Sequence, residues 1–226
     1  NRRPNGMERY GRTRFCPNQG VSTVMKKIII GISGASGAIF GIRLLELLQA
    51  APAVETHVVI SKWGQQTLEH ETSWSAKEVR ELADVAYAAG ELSAAVSSGS
   101  FRTDGMVIVP CSMRTLGCIA NGYGDSLIHR AADVVLKERR RLIVVPRETP
   151  LSEIHLENML KLARMGVTIL PSDPAFYAHP KTIADLVEHT VVRILDQLGV
   201  ESDLIERWDG GMRRGDPVGP ISTKGS

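Results

Sequence analysis

The chain has 226 residues, 43% of them hydrophobic, and 27 Lys and Arg against 25 Asp and Glu give a formal net charge of +2. That is enough apolar content for one sizeable α/β core and too little length for two full domains, and the near-neutral charge favours neither nucleic acid nor a membrane surface as partner. No apolar run approaches the roughly 20 residues of a membrane span. The three cysteines, Cys16, Cys111 and Cys118, lack C-x-x-C spacing, which indicates neither a disulfide framework nor a zinc site and makes a reduced, cytoplasmic setting the expectation.

Residues 1–24 are polar and arginine-rich, without the apolar stretch of a secretory signal. Met25 stands directly before the first strand, so 1–24 reads as a tag, a leader or a misplaced start. One domain is expected over 25–208, with a flexible glycine-rich tail over 209–226. The five apolar residues 28–32 (IIIGI), after Lys26 and Lys27, have the β-branched character of a buried parallel strand. Ser33-Gly34-Ala35-Ser36-Gly37 forms a turn, and leucine spacing over 42–48 marks an amphipathic helix. Strand, glycine turn and helix open a doubly wound α/β domain, with backbone N–H groups at a helix N-terminus where an anion is favoured. Gly31, Gly34 and Gly37 do not match the dinucleotide fingerprint, and no Gly-Lys-Ser/Thr ending is present. With Ser33 and Ser36 adding hydroxyls to the nest, a mononucleotide phosphate fits better than a pyrophosphate. Taken alone, the stretch is equally a tight turn with no ligand.

Further strands are expected over 56–60, 84–87 (a short edge strand), 105–109 closed by Pro110, 142–145 and 167–170. Helices are expected over 64–71, from Ser75 with Glu78 completing a capping box, and after Ser112 to about Ala120. Three more run from an Asp125 cap to Arg139, from Ser152 to about Met165, and over 182–198 with Gly199 as C-terminal cap. Residues 97–102 form a loop of small residues. The class is α/β with a mostly parallel, Rossmann-like sheet.

Ligands of such sheets bind beyond the carboxyl ends of the strands. The first strand delivers Ser33, Gly34 and Ser36, the second Ser61, and the fourth Ser112, Arg114 and Thr115. The fifth delivers Arg147 and Glu148, and the last Tyr177. Each alone is ordinary, since hydroxyls cap helices and Arg-Glu pairs are solvated; together on one rim they point to an anionic ligand. Arg130 and Lys137, seven residues apart, share a helix face that reads as solvated surface or as ligand face, and Arg193 has the same two readings. His155, His179 and His189 are isolated, with no carboxylate cluster or H-E-x-x-H for a metal and no G-x-S-x-G elbow for a serine nucleophile.

The blocks at 31–37 (GISGASG), 110–116 (PCSMRTL), 130–139 (RAADVVLKER), 145–151 (VPRETPL) and 154–160 (IHLENML) occur in one order, followed by Phe176-Tyr177-Ala178-His179. In them the chain, from Met25 to about Trp208, closely resembles the UbiX/Pad flavin prenyltransferase family. Ser61-Lys62-Trp63 and residues 98–102 resemble the branch paired with phenolic-acid decarboxylases. The resemblance implies a flavodoxin-like fold and a dodecameric homo-oligomer. It implies a metal-independent transfer of a dimethylallyl group from dimethylallyl phosphate to N5 and C6 of reduced FMN. The product, prenylated FMN, would serve a UbiD-type decarboxylase. By motif, Gly34, Ala35, Ser36, Ser61, Ser112, Met113, Arg114, Thr115 and Arg147 would hold FMN. Lys137, Arg147, Tyr177 and Arg193 would hold the donor phosphate, with Arg130 supplied across a subunit interface. Glu148 would be the acid/base group and Ser36 would assist proton movement, with Glu71 and Trp208 at the margin. Ser33 and Arg114 depart from the threonine and lysine common in the family.

Two other readings compete. A flavin-dependent cysteine decarboxylase needs a histidine after the second strand and an Asn-bearing P-x-M-N-type motif, where this chain has Ser61-Lys62-Trp63 and Pro110-Cys111-Ser112-Met113. A flavin carrier would need no second phosphate site, which Glu148, Lys137 and Arg193 would supply.

Overall fold

The computed structural model describes residues 25–205; the expectations for 1–24, for Trp208 and for the tail fall outside them. The strands β1 (Lys26–Ile32), β2 (Val54–Ile60), β3 (Val85–Tyr87), β4 (Gly105–Cys111), β5 (Arg141–Pro146) and β6 (Thr168–Ile169) form one sheet, ordered β3-β2-β1-β4-β5-β6. Every pairing is parallel. The helices are α1 (Ala38–Ala50), α2 (Lys62–Glu71), α3 (Ala76–Glu81), α4 (Met113–Ala120), α5 (Leu127–Lys137), α6 (Glu153–Arg164) and α7 (Ile183–Leu198).

The unbroken isoleucine run of β1 follows from a sheet covered on both faces. Ile28, Ile30 and Ile32 join the layer under α1 and α7, with Leu44, Leu45, Leu48, Val191 and Leu195. Ile29 faces the other way, into the layer under α4 and α5, with Leu116, Ala131 and Val135. Arg43 of α1 reaches across to α7, 2.7 Å from Glu188, and bonds Glu46 at 3.1 Å. Burial works against its charge, but the two carboxylates hold it and its pKa is raised. The far end of α7 is held by cations from the first residues of two strands. Lys26 Nζ donates to the carbonyls of Gly199 (2.5 Å) and Leu198 (3.4 Å), and Arg141 donates to that of Gln197. Positive charge at a helix C-terminus complements its dipole.

Beneath the 88–103 segment lies a polar cluster. His57, 2% exposed, places Nδ1 3.1 Å from the Tyr87 hydroxyl and Nε2 2.9 Å from Glu55, which also pairs with Lys27 at 2.9 Å. The Phe101 ring stands edge-on to His57 and under the Lys27 ammonium. Burial pulls the His57 pKa below its ordinary value, although Glu55 opposes the shift.

Two local expectations are corrected. Pro110 does not close β4; the strand continues to Cys111, with its register to β5 interrupted between Ile108 and Cys111, where a residue without an N–H costs no ladder bond. The cap of α5 is Ser126, whose hydroxyl accepts from His129 N, rather than Asp125. Both types cap well, and the extended residue directly before the helix takes the role. The capping box of Ser75 and Glu78 and the left-handed Gly199 (φ 65°) are as read. Among the described residues no helix is long and apolar enough to cross a membrane.

Candidate functional site

The strand order reverses at β1, which has β2 on one side and β4 on the other, and this is where an open α/β sheet splays into a crevice. Ser33 ties its two walls together. Its hydroxyl donates to Pro110 O (2.8 Å) and accepts from Ser112 N (2.8 Å), and it is 1% exposed. Ser33 is therefore spent on the scaffold and adds no hydroxyl to the nest. Ser36 is half-buried, and no partner for its hydroxyl is found among the described residues.

Three helix N-termini meet at this crevice. Gly37, the N-cap of α1, has φ 101°, which only glycine adopts freely. The N–H groups of Gly37 (2.8 Å) and Ala38 (3.2 Å) donate to one Glu71 carboxylate oxygen. The α1 terminus, read from sequence as the anion site, thus already holds an anion of the protein's own. At α2, Ser61 Oγ accepts from Gly64 N (2.9 Å); at α4, Ser112 Oγ accepts from Thr115 N (3.2 Å) and donates to Thr115 Oγ1 (3.1 Å). Each cap satisfies one donor, and the first-turn N–H groups of Lys62, Trp63, Met113 and Arg114 remain directed at the rim. Two positive helix ends stand open beside one that is closed.

Around them the rim is cationic. Arg114 and Arg147 are exposed and make no ion pair among the described residues. Arg147 N donates to Cys111 O (3.3 Å), which sets Arg147 and the exposed Glu148 beside the tip of β4. Burial, with Arg114 adding to it, lowers the His129 pKa against the pull of Asp125. Cys111, fully buried, has its thiol pKa pushed up by desolvation and offers no thiolate at this rim.

Tyr177 reaches α7, where its hydroxyl lies 3.0 Å from His189 Nε2. Arg193 follows one turn along, its Nη1 2.7 Å from Asp196. His189, read as isolated, is therefore the partner of Tyr177 and lies one turn before Arg193, and its i, i+4 spacing to Arg193 was the available signal. Burial first, then Arg193, lowers its pKa.

Arg130 and Lys137 are not brought to this rim. Arg130 Nε donates to Ser97 O (3.2 Å) and pairs with Asp133 at 2.7 Å. Lys137 pairs with Glu138 at 2.5 Å and fills the space above Gly99, where an added Cβ would lie 2.7 Å from its Nζ. Lys137 ends α5 just before Arg141 opens β5, whereas Arg147 follows the other end of that strand. Five residue steps separate Arg141 from Pro146, about 17 Å along the strand. No group of three or more His, Cys, Asp or Glu suited to a metal occurs among the described residues.

A six-stranded parallel sheet with hydroxyl-capped helix ends and arginines at its switch point defines a flavodoxin-like, anion-binding α/β protein. Residues 18–195 match the family model described as Flavoprotein. A "Probable UbiX-like flavin prenyltransferase" of Streptomyces sp. (strain D7) is 59% identical over 184 residues, 81% of this chain and 92% of that protein. A dodecameric FMN-dependent UbiX-like decarboxylase from Escherichia coli O157:H7 superposes with TM-score 0.80 at 56% identity, covering 81% of this chain and 100% of that one. The AnUbiX (PadA1) structure in complex with FMN and dimethylallyl pyrophosphate gives TM-score 0.81 at 49% identity, covering 82% and 98%. The chain belongs to the UbiX-like flavin prenyltransferases of the flavoprotein family.

Proposed function

We propose that the protein transfers a dimethylallyl group from dimethylallyl phosphate to N5 and C6 of reduced FMN and supplies the prenylated FMN to a UbiD-type decarboxylase. The observation that carries this reading is the pairing of two open helix N-termini, α2 and α4, with Arg114 and Arg147, which make no ion pair among the described residues, and with Glu148 on one rim. The hydroxyl caps and free N–H groups fit a phosphate monoester. Ser61, Ser112, Met113, Arg114 and Thr115 hold it, with Gly34, Ala35 and Ser36 beside the ring system and Arg147 between flavin and donor. Reduced FMN supplies an electron-rich acceptor; the chain supplies the charge balance for its partner. The allylic C–O bond breaks as phosphate leaves, and Arg147, Tyr177 and Arg193 stabilise the charge developing there. Glu148 moves the proton that accompanies ring closure, assisted by Ser36.

Because Lys137 lies towards the amino edge of its own sheet, and Arg130 is engaged by Ser97 O and Asp133, a second copy supplies them to the donor phosphate. This favours a closed homo-oligomer, in line with the dodecameric relative. Free Cys111 and Cys118 suit a reduced cytoplasmic setting. The test is anaerobic: the purified protein is mixed with reduced FMN and dimethylallyl phosphate, and the extracted flavin is weighed by mass spectrometry. A flavin heavier by one C5H8 unit is expected. Tightly bound but unmodified FMN, with the diphosphate donor failing as well, would replace this reading by a carrier or a decarboxylase.

A further inference from the structure

We propose that Trp63 is an aromatic wall of the flavin site, a positioning residue for the ring system; the assignment rests on the flavin reading above and concerns how the ring is held. Trp63 is the second residue of α2, and its root is fixed. A Cβ built on Gly34 would lie 2.4 Å from Trp63 Cβ and 3.2 Å from its carbonyl carbon, so Gly34 is bare because Trp63 stands against it. The next residue, Gly64, is pressed on Ile32 O, where an added Cβ would come within 2.5 Å. Two turns on, Glu71 of the same helix grips Gly37 and Ala38. The helix is therefore laid along the 34–38 turn at both ends, and Trp63 springs from that contact.

The residue is nonetheless 64% exposed. Burying such a ring is among the larger apolar gains open to a protein, and here it is left standing beside a polar rim. Sites for planar ring systems are lined mainly by apolar and aromatic side chains, with a few polar groups fixing orientation. Six of the nine residues proposed to hold FMN are of the second kind: of Gly34, Ala35, Ser36, Ser61, Ser112, Met113, Arg114, Thr115 and Arg147, Met113 alone has a long apolar side chain. Trp63 provides the missing surface, rooted on the first glycine of the turn. An indole face against the isoalloxazine also keeps water from one side of the ring and favours positive charge developing nearby.

The experiment is an FMN titration followed by flavin fluorescence, with the mass of the assembly measured by light scattering. Wild type, Trp63→Phe and Trp63→Ala are compared. Because the residue is exposed, neither variant threatens folding. Wild type is expected to quench flavin emission on binding. Trp63→Ala should bind FMN about tenfold more weakly and lose most of the quenching, while Trp63→Phe stays within about threefold of wild type. Wild-type affinity and quenching in Trp63→Ala would overturn the proposal. So would an unchanged affinity with a reduced assembly mass, which would make Trp63 a contact between copies. Should the variants behave as expected while wild type forms no prenylated flavin, the transferase reading fails and the wall stands.

Discussion

At the carboxyl edge of the sheet the strands hand over to helix N-termini, and the groups on offer are N–H donors, capped by Ser61 and Ser112 and flanked by Arg114 and Arg147. At the amino edge the chain hands over from a helix C-terminus, and the groups on offer are carbonyls. There the cations are consumed: Lys26 and Arg141 hold the end of α7, and Arg140 binds Phe101 O (2.8 Å) and Gly99 O (2.6 Å). The same residue types are structural at one edge and available at the other, because a parallel sheet with returning helices sorts backbone donors from acceptors. Arg114 and Arg147 at the carboxyl edge make no ion pair among the described residues and are available to an external anion.

The comparison is broken most severely at Glu148. Glu148→Gln should bind FMN as wild type does and slow prenyl transfer by a factor on the order of 10²–10⁴, read as single-turnover flavin product. Equal turnover would take Glu148 out of the chemistry. Next come the two edges themselves. Arg147→Ala and Lys137→Ala should each be nearly inactive, and a mixed assembly of the two should recover about a quarter of wild-type turnover, the share of sites pairing an intact rim with an intact α5. No recovery would mean that Lys137 does not act across copies. A smaller effect is expected at the closed helix end. Glu71→Ala uncovers the Gly37 and Ala38 N–H groups and should cost about 1 kcal/mol, a fall of about 2–4 °C in Tm for a chain of this size.

The smallest effect is in the pH dependence of stability. The folded His57 pKa lies below the ordinary 6.5, so below that pH the unfolded chain takes up a proton that the folded chain refuses. Stability is fully present above pH 6.5 and is lost as pH falls from there towards the folded pKa. His129 and His189 shift the same way. His57→Gln should lessen the fall in Tm between pH 7 and pH 5; an unchanged slope would leave His57 with no part in it.

Much of this was legible in sequence because it is local. The β1 run, the Ser75–Glu78 box and Gly199 depend on neighbours within four residues, and each formed as its chemistry requires. The rim was legible too, since topology alone carries whatever follows a parallel strand to one edge. What escaped depends on distant partners. Nothing in residues 33–37 tells that Ser33 will be spent on Pro110 and Ser112, or that Glu71 will occupy the α1 terminus. Seven-residue spacing put Arg130 and Lys137 on one face of a helix but not at one end of the sheet. The count from Lys137 to the start of β5 contained that information.

Glu71 has one more consequence. A ligand with a phosphate at one end and a flat ring at the other meets three helix ends, of which the first is shut by a carboxylate. In the proposed reading its charged end would be repelled there and drawn to α2 and α4, leaving the ring over the glycine turn. Which way round the molecule lies would then be encoded by a side chain that has no need to touch it.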